Sequence, residues 1–375
     1  MSTPSFTPFD CVRMYLIYTA VTRIQIDMTT EKPALGIDFI TELEKFRSDR
    51  ISALKKTVYR TEYDELNDAI GGGFTPGLIS LGAVSSLGKS TFALQIAHSI
   101  AGCKKHVLYF SLEMIPNDII AKALVREMHL EHSASSVTVS DLLSSSDPLR
   151  PDDGNYLDDT IDKLRDSSDY HLTIIEPKND ANKDEDTDER KDERTVHNIL
   201  RTVDKYIGGW DEGDSGREPF VIIDYLQILS PAEGMERCTD KQIVDSNISV
   251  LKEYADDKQI PILLISSFNR DSYAKKASLQ SFKDSGNIEY TSDVLMALQY
   301  EGAGSTDFNI EIAQQNSPRK VELIILKQRY GPAGQILSIP FYPEYNLFDF
   351  DRTYEEEEND PLLSTGRLPE ARRHL

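Results

Sequence analysis

The stretch from Leu78 to Ile100, LISLGAVSSLGKSTFALQIAHSI, limits the fold of this chain more than any other. It opens on an apolar run, Leu78, Ile79 and Leu81, that reads as a buried strand. Small residues from Gly82 to Ser86 lead into Gly88-Lys89-Ser90, and Phe92, Leu94, Ile96, Ala97 and Ile100 then recur at helical spacing. Strand, small-residue loop, Lys-Ser and helix is the order of a phosphate-cradling P-loop. Loop N–H groups and the positive end of the helix point at phosphate oxygens. The Lys89 ammonium would reach the β/γ-phosphates of a nucleoside triphosphate, and the Ser90 hydroxyl would ligate Mg²⁺. The expected cradle is Ala83, Ser85, Ser86, Leu87, Gly88, Lys89, Ser90 and Thr91. One position departs from the usual G-x-x-x-x-G-K-[ST] spacing: Ala83 stands where glycine is expected, and Gly82 falls one place too early. The alternative, an ordinary β–α turn that happens to carry Gly-Lys-Ser, suits the flanking strand and helix less well.

A chain of 375 residues, 39% hydrophobic and 28% charged, can bury a full core. Its net charge of −22 argues against a nucleic-acid partner. Much of that acidity is local, however, in 176–194 and in Glu355–Glu358. A ring that is acidic outside and basic only along its channel would carry the same total, so the charge weakens the nucleic-acid reading but leaves it open. Cys11, Cys103 and Cys238 are too far apart for a disulfide framework or zinc spacing and fit a reducing compartment. The apolar run Met14–Val21 is too short to span a bilayer and lacks a convincing cleavage site. A cytoplasmic protein without a membrane partner is expected.

Residues 1–27 carry no legible pattern, and Met28 opens a more ordinary N-terminus, so an over-extended gene start is expected there. Within an N-terminal extension over 1–57, Ile37, Ile40, Leu43, Phe46, Ile51 and Leu54 space out as an amphipathic helix. That helix either docks on a neighbouring subunit or packs on its own domain. The core domain spans 58–350. His106–Ser111, His171–Glu176, Pro219–Asp224 and Pro261–Ser266 read as strands, with further strands expected at 294–298, 321–327 and 335–340. Helices are expected from Pro116 to Leu130, Thr195 to Ile207 and Lys241 to Lys258. Residues 131–170, rich in Ser and Asp, read as mostly irregular with one short helix. The runs 178–194 and 351–375 read as an acidic insertion and an acidic tail, both solvated and disordered. Alternation of strand and helix predicts an α/β fold, a mostly parallel central sheet with helices on both faces. Ligands bind such sheets at the carboxyl ends of the strands. The P-loop, Glu113, Asp224 and Ser266–Arg270 therefore fall along one edge.

Asp224 ends a buried strand, and a carboxylate there is costly unless it meets a cation. With a P-loop on the same sheet it reads as the Walker B aspartate, sharing Mg²⁺ with Ser90. Glu113 closes another strand; it either polarises the water that attacks the γ-phosphate or is a plain loop carboxylate near a helix start. Lys327 and Arg329 share one face of a strand. They are either a cation pair for a neighbour's nucleotide or ordinary exposed edge-strand charges.

The blocks TEYDELNDAIGGGFTPG, AVSSLGKSTFA, VLYFSLEM, VIIDYLQILS, SSFNR, FKDSGNIEYTSD and ILKQRYGPAG occur in this order. Together they resemble the C-terminal ATPase domain of DnaB-type replicative helicases, a branch of the RecA-like P-loop NTPase fold, over about 58–350. Ala83 in place of glycine also looks like that family. The resemblance implies a homo-hexameric ring that hydrolyses ATP at subunit interfaces and moves along single-stranded DNA. It assigns Lys89 and Ser90 to phosphates and metal, Glu113 to water, Asp224 to Mg²⁺, and Lys327 and Arg329 to action in trans. Lys283, Asp284, Ser285, Gly286 and Asn287 look like the channel loop that grips the DNA backbone, a contact suited to sequence-independent tracking.

Three departures accompany the likeness. Ser267 stands where the family usually has a Gln that senses the γ-phosphate, and the shorter hydroxyl implies weaker coupling. The family's helical N-terminal domain, which makes a collar and meets primase, is not matched in residues 1–57; a primase or loader remains an expected partner. The acidic stretches 131–170 and 178–194 are not family features. A rival expectation is a RecA-like ATPase that serves as a regulatory switch or ring scaffold without unwinding. Lys89, Glu113, Asp224 and Arg329 argue against a scaffold, and the Lys283–Gly286 block argues against a pure switch.

Overall fold

The computed structural model describes Phe39, 42–47 and 57–351, apart from 145–147, 168, 179–191, 210–217, 233, 236, 284 and 285. The expected disordered tail, most of the 178–194 run and the first residues of the chain lie outside the described residues. Of the expected 37–54 helix, 42–47 are described and helical, with Phe39, Leu43 and Phe46 exposed. No helix among the described residues is long and apolar enough to cross a membrane.

In chain order, α1 (Asp64–Ala69) and a glycine turn feed β1 (Gly77–Ala83), which is buried at every position and precedes α2 (Lys89–Gly102). Then come β2 (His106–Ser111), α3 (Pro116–Glu131), α4 (Val139–Leu143), α5 (Pro151–Asp166), β3 (His171–Ile175), α6 (Val196–Gly208) and β4 (Phe220–Asp224). The chain continues through α7 (Asp240–Lys258), β5 (Pro261–Ser267), α8 (Gly286–Thr291), β6 (Val294–Tyr300), α9 (Ile310–Gln315), β7 (Arg319–Gln328), β8 (Ile336–Tyr342) and β9 (Leu347–Phe348). Local chemistry sets several boundaries. Pro116 opens α3, Thr195 caps α6, and Thr239 with Gln242 forms a reciprocal capping box at the start of α7.

The strands make one nine-stranded sheet in the order β3-β2-β4-β5-β1-β6-β7-β8-β9. Pairing is parallel from β3 to β6 and antiparallel from β6 to β9, so the sheet is mostly parallel as expected. Right-handed crossovers fix the layers. The β1-to-β2 and β2-to-β3 connections step one way along the sheet, whereas β3-to-β4, β4-to-β5 and β5-to-β6 step the other way. Hence α2 and α3 cover one face while α6, α7 and α8 cover the opposite one. The core is the sheet's own apolar run: β1, β2, β4, β5 and β6 are buried almost throughout.

One expectation needs correction. Residues 131–170 are not mostly irregular: they hold α4 and the 16-residue α5. Helix α5 packs Tyr156 and Leu157 against a small cluster of Val125, Met128 and Val137 on and beside α3. Its own buried residues are Asp153 and Thr160, so its inner face is polar and hydrophobic spacing misses it. Strand β9 was not anticipated either, because a two-residue strand has no period to read.

Gly82 also finds its reason in packing rather than in the loop. The carbonyl of Ala83 accepts from Phe268 N–H at 3.0 Å, and the rings of Phe268 and Phe282 meet edge to face with centroids 5.3 Å apart. A Cβ on Gly82 would sit 2.5 Å from Phe268 Cε1 and closer still to Phe282. Gly82→Ala is therefore expected to cost about 1–3 kcal/mol by overpacking. Urea unfolding would measure it, and an unchanged midpoint would contradict this account.

Candidate functional site

The cradle forms where β1 runs out. Ser86 (φ 63) and Gly88 (φ 102) both take left-handed backbone, which turns the loop back over the start of α2. At Gly88 a Cβ would also lie 2.9 Å from Phe341 Cζ, so glycine answers two demands at once. Leu87 is buried and ties the loop to the core, whereas Ser85 and Ser86 are exposed. Thr91 is buried with its hydroxyl turned toward Asn346 Oδ1 at 3.5 Å; only its backbone can face the cradle. The C-terminal strands close over α2. Gln95 exchanges two hydrogen bonds with the backbone of Phe348, at 2.7 and 2.9 Å, and Phe92 meets the Phe348 ring edge-on.

Asp224 ends β4 almost completely buried. Its Oδ2 accepts from the Tyr109 hydroxyl at 2.8 Å, while its Oδ1 is buried with no hydrogen-bond partner among the described residues. Burial pushes the Asp224 carboxyl above the usual carboxylate range; Ser90 and Tyr109 oppose that rise, Glu113 adds to it and Lys89 opposes it. The Ser90 hydroxyl acts on that charge without completing hydrogen-bond geometry. Burial lowers the Lys89 ammonium pKa, against the pull of Asp224 and Glu113. Lys122 of α3 is lowered by burial in the same way, against Asp224, Asp118 and Glu113. Lys89, Ser90, Glu113 and Asp224 are thus brought to one place, over the carboxyl ends of β1, β2 and β4. An orphaned buried carboxylate oxygen beside a hydroxyl is a hard-oxygen set, which fits a divalent cation such as Mg²⁺. Ser267 ends β5 next to this group. The Gln227 side chain braces it, accepting from Ser267 N–H at 3.4 Å and donating to Ser266 Oγ at 2.9 Å.

Lys327 and Arg329 lie elsewhere. Strand β7 runs antiparallel to β6, with Gln328 opposite Val294, and Val294 in turn pairs with Ile79 near the start of β1. The cation pair therefore stands at the amino ends of β1 and β6, the edge opposite the P-loop. Lys327 Nζ donates to the carbonyls of Glu289 and Tyr290 at 2.7 and 3.1 Å, near the end of α8, and an Arg329 guanidinium nitrogen meets Asp293 Oδ1 at 2.8 Å. Arg319, at the other end of β7, donates to Ser86 O at 3.1 Å and lies over the Phe341 ring at 5.8 Å. In the expected DNA block, Lys283 and Gly286 are exposed, and Lys283 N–H holds Ser267 O at 2.9 Å. Asn287 instead turns its amide onto α7, at Asp245 O and Ser249 Oγ, so it anchors α8 rather than facing outward. Asp284 and Ser285 lie outside the described residues.

The model of the DnaB-like helicase C terminal domain matches residues 59–166 and 210–350. The chain belongs to this family. The match includes most of 131–170 and leaves out 167–209, where the acidic run falls. Among curated relatives, the replicative DNA helicase DnaB of Geobacillus stearothermophilus is 26% identical over 309 residues, covering 80% of this chain and 58% of that protein. The DnaB of Buchnera aphidicola (subsp. Baizongia pistaciae) is 28% identical over 323 residues, covering 83% and 60%. The chain thus spans little more than half of the relatives it matches. Among solved structures, a DnaB-like replicative helicase, described with its interactions with primase, superposes with a TM-score of 0.64 at 20% identity, over 91% of this chain and 72% of that one. A solved ATPase domain also gives 0.64 at 20% identity, over 84% and 99%. These likenesses carry the DnaB-like ATPase fold.

Four residues of the site escaped the sequence reading. Tyr109 had a signal, a hydroxyl inside an otherwise apolar strand. Asp293 had one too, an acid abutting a buried strand in the mirror image of Asp224. Lys122 and Arg319 had none, since their neighbours are distant in sequence.

Burial of Asp224 has a thermodynamic consequence. Its folded pKa lies above the unfolded value, so ionising it costs stability, and the whole cost is present once pH exceeds the folded pKa. As pH falls through the ordinary carboxylate range the cost disappears. Asp224→Asn is therefore expected to raise the melting temperature of the nucleotide-free protein at pH 7 by about 2–4 °C while abolishing hydrolysis. The gain should shrink toward pH 4. Thermal unfolding at both pH values checks this, and a lower melting temperature at pH 7 would refute it.

Proposed function

We propose that this chain is the ATPase motor of a ring-forming DnaB-type DNA helicase, which hydrolyses ATP between subunits and moves on single-stranded DNA during replication. One observation carries the reading: the P-loop and the Lys327–Arg329 pair occupy opposite edges of one sheet. Neither cation can serve its own nucleotide, so a complete site needs a second copy. Head-to-tail repetition of such an interface gives a ring where its rotation closes, and in this reading it closes as a hexamer. The named relatives, replicative DNA helicases, support the same conclusion.

The nucleotide's phosphates lie against the N–H groups from Ala83 to Thr91, with Lys89 on the β/γ-phosphates. Asp224 and Ser90 hold Mg²⁺, which when bound offsets charge on the phosphate oxygens. Glu113 orients and polarises the attacking water. Arg329 and Lys327 from the neighbour face the charge that builds on the γ-phosphate. Ser267, braced by Gln227, ends the strand beside the nucleotide and leads directly to Lys283, a short path from phosphate to DNA. Lys283 and the backbone at Gly286 take DNA phosphates without reading sequence. Partners are single-stranded DNA, further copies of the chain and a primase or loader, in the cytoplasm. The switch reading draws on Ser267 and on the unmatched N-terminal collar, and the exposed Lys283 weighs against it.

The decisive test mixes two inactive variants. Lys89→Ala removes one half of each site and Arg329→Ala the other, so either alone should lose almost all ATPase. Mixed in equal amounts within rings, they leave roughly a quarter of the head-to-tail interfaces complete. Partial recovery is expected. Verified mixed rings that stay dead, beside a wild-type doping control showing that isolated sites turn over, would defeat action in trans.

Lys283→Ala addresses the DNA. Single-stranded DNA binding should weaken about equally across sequences, with a salt slope smaller by about one ion, while basal ATPase survives. Unchanged affinity and slope would favour the switch.

A further inference from the structure

Resting on the trans reading, we infer that Asp293 is a positioning residue for hydrolysis in the neighbouring subunit: it aims Arg329. Asp293 sits between α8 and β6, 8% exposed, and every polar atom it carries is engaged. Its Oδ2 accepts from Lys252 Nζ at 2.7 Å and from Leu78 N–H at 2.9 Å. Its own N–H and C=O bond Leu78 O and Arg329 N–H, each at 2.8 Å. Its Oδ1 takes the Arg329 guanidinium at 2.8 Å. Space for the carboxylate is made by Gly77, whose left-handed backbone (φ 138) lacks a side chain that would otherwise collide with Oδ2.

These contacts do different jobs. Lys252 from α7 bridges Asp293 and Asp256, at 2.7 and 2.5 Å, and Leu78 N–H fixes the Asp293 rotamer, so the carboxylate is held in place from its own subunit's core side. Arg329 then gives one of its five N–H donors to Oδ1. The rest of its fork remains available for a phosphate, while the one N–H given to Oδ1 sets its direction. An exposed ion pair between two mobile side chains would specify little geometry. Here one partner is locked into the sheet and the other remains 44% exposed at the edge. That asymmetry suits an arm held at a fixed angle toward a neighbour.

The experiment uses the full-length chain assembled on single-stranded DNA with ATP and Mg²⁺. Asp293→Asn keeps the shape and loses the charge. We expect kcat to fall about 10–100-fold, the range for misplacing a reacting group by an ångström. KM for ATP should stay within about twofold, because the nucleotide's own cradle is untouched. Mixing separates aim from general damage. Asp293→Asn protomers keep an intact P-loop, and Lys89→Ala protomers keep an intact Asp293 and Arg329, so mixed rings should regain ATPase as the Arg329→Ala and Lys89→Ala mixture does. If that control pair recovers and the Asp293→Asn mixture does not, the residue is structural and the inference fails alone. It also fails alone if Asp293→Asn has wild-type kcat while Arg329→Ala is inactive. If Arg329→Ala itself retains activity, the trans reading falls and the inference with it.

Discussion

A carboxylate at the end of a fully buried strand is an expensive thing to fold, and much of one sheet edge is arranged around Asp224. The Tyr109 hydroxyl crosses from the adjacent strand to hold Oδ2, and Leu112 N–H holds its backbone carbonyl at 2.8 Å. Lys89 lies near enough to offset the charge but is itself short of solvent, and Glu113 pushes the balance the other way. Burial thus disfavours the charged form of both side chains, each of which water would solvate better. Oδ1 has no hydrogen-bond partner among the described residues. Stability is given up at a point where a cation and phosphates would restore it, the trade expected where binding chemistry and folding share residues.

Strand β7 makes the second theme physical. Arg319 at its start leans on the P-loop of its own subunit, while Lys327 and Arg329 at its end stand at the far edge. One stiff element spans the distance from the P-loop's edge of the sheet to the opposite edge, where the cation pair stands. Lys327 is meanwhile bonded to the carbonyl end of α8, whose other end follows the Lys283 loop, so the strand also touches the element beside the expected DNA contact. Packing of this sort transmits displacement without any special wiring, since a sheet and its covering helices are close-packed and compress little.

The parallel strands were legible in the sequence because burial on both faces makes each an apolar run bounded by Pro, Gly or polar turns. Asp224 and the P-loop were legible because their residue types sit at fixed offsets from those runs. Helix α5 was not, since its inward face offers Asp153, paired with Arg150 at 2.7 Å, and Thr160 instead of aliphatic residues. Its end signals were present nonetheless: Pro151 with Asp152 and Asp153 at the start, Lys163 and Arg165 at the finish. The inward turn of Thr91 was unreadable for a different reason. Its partner Asn346 lies in the last described loop, and no local pattern reports on a contact of that span. Asn287, turned onto α7, escaped the same way.

The closing of β8 and β9 over α2 has a consequence for how the protein is made. Gly88 is flanked by Phe341 and Phe348, and both ends of the Gln95 amide bond the backbone of Phe348. A ribosome delivers Lys89 early, yet the wall behind it arrives more than two hundred residues later. Until then Phe92 and Gln95 have no roof, and the nascent loop lacks the surface that shapes it. The loop around Gly88 therefore takes its final shape only late in synthesis, and a chain cut short before Phe341 lacks the packing that holds it.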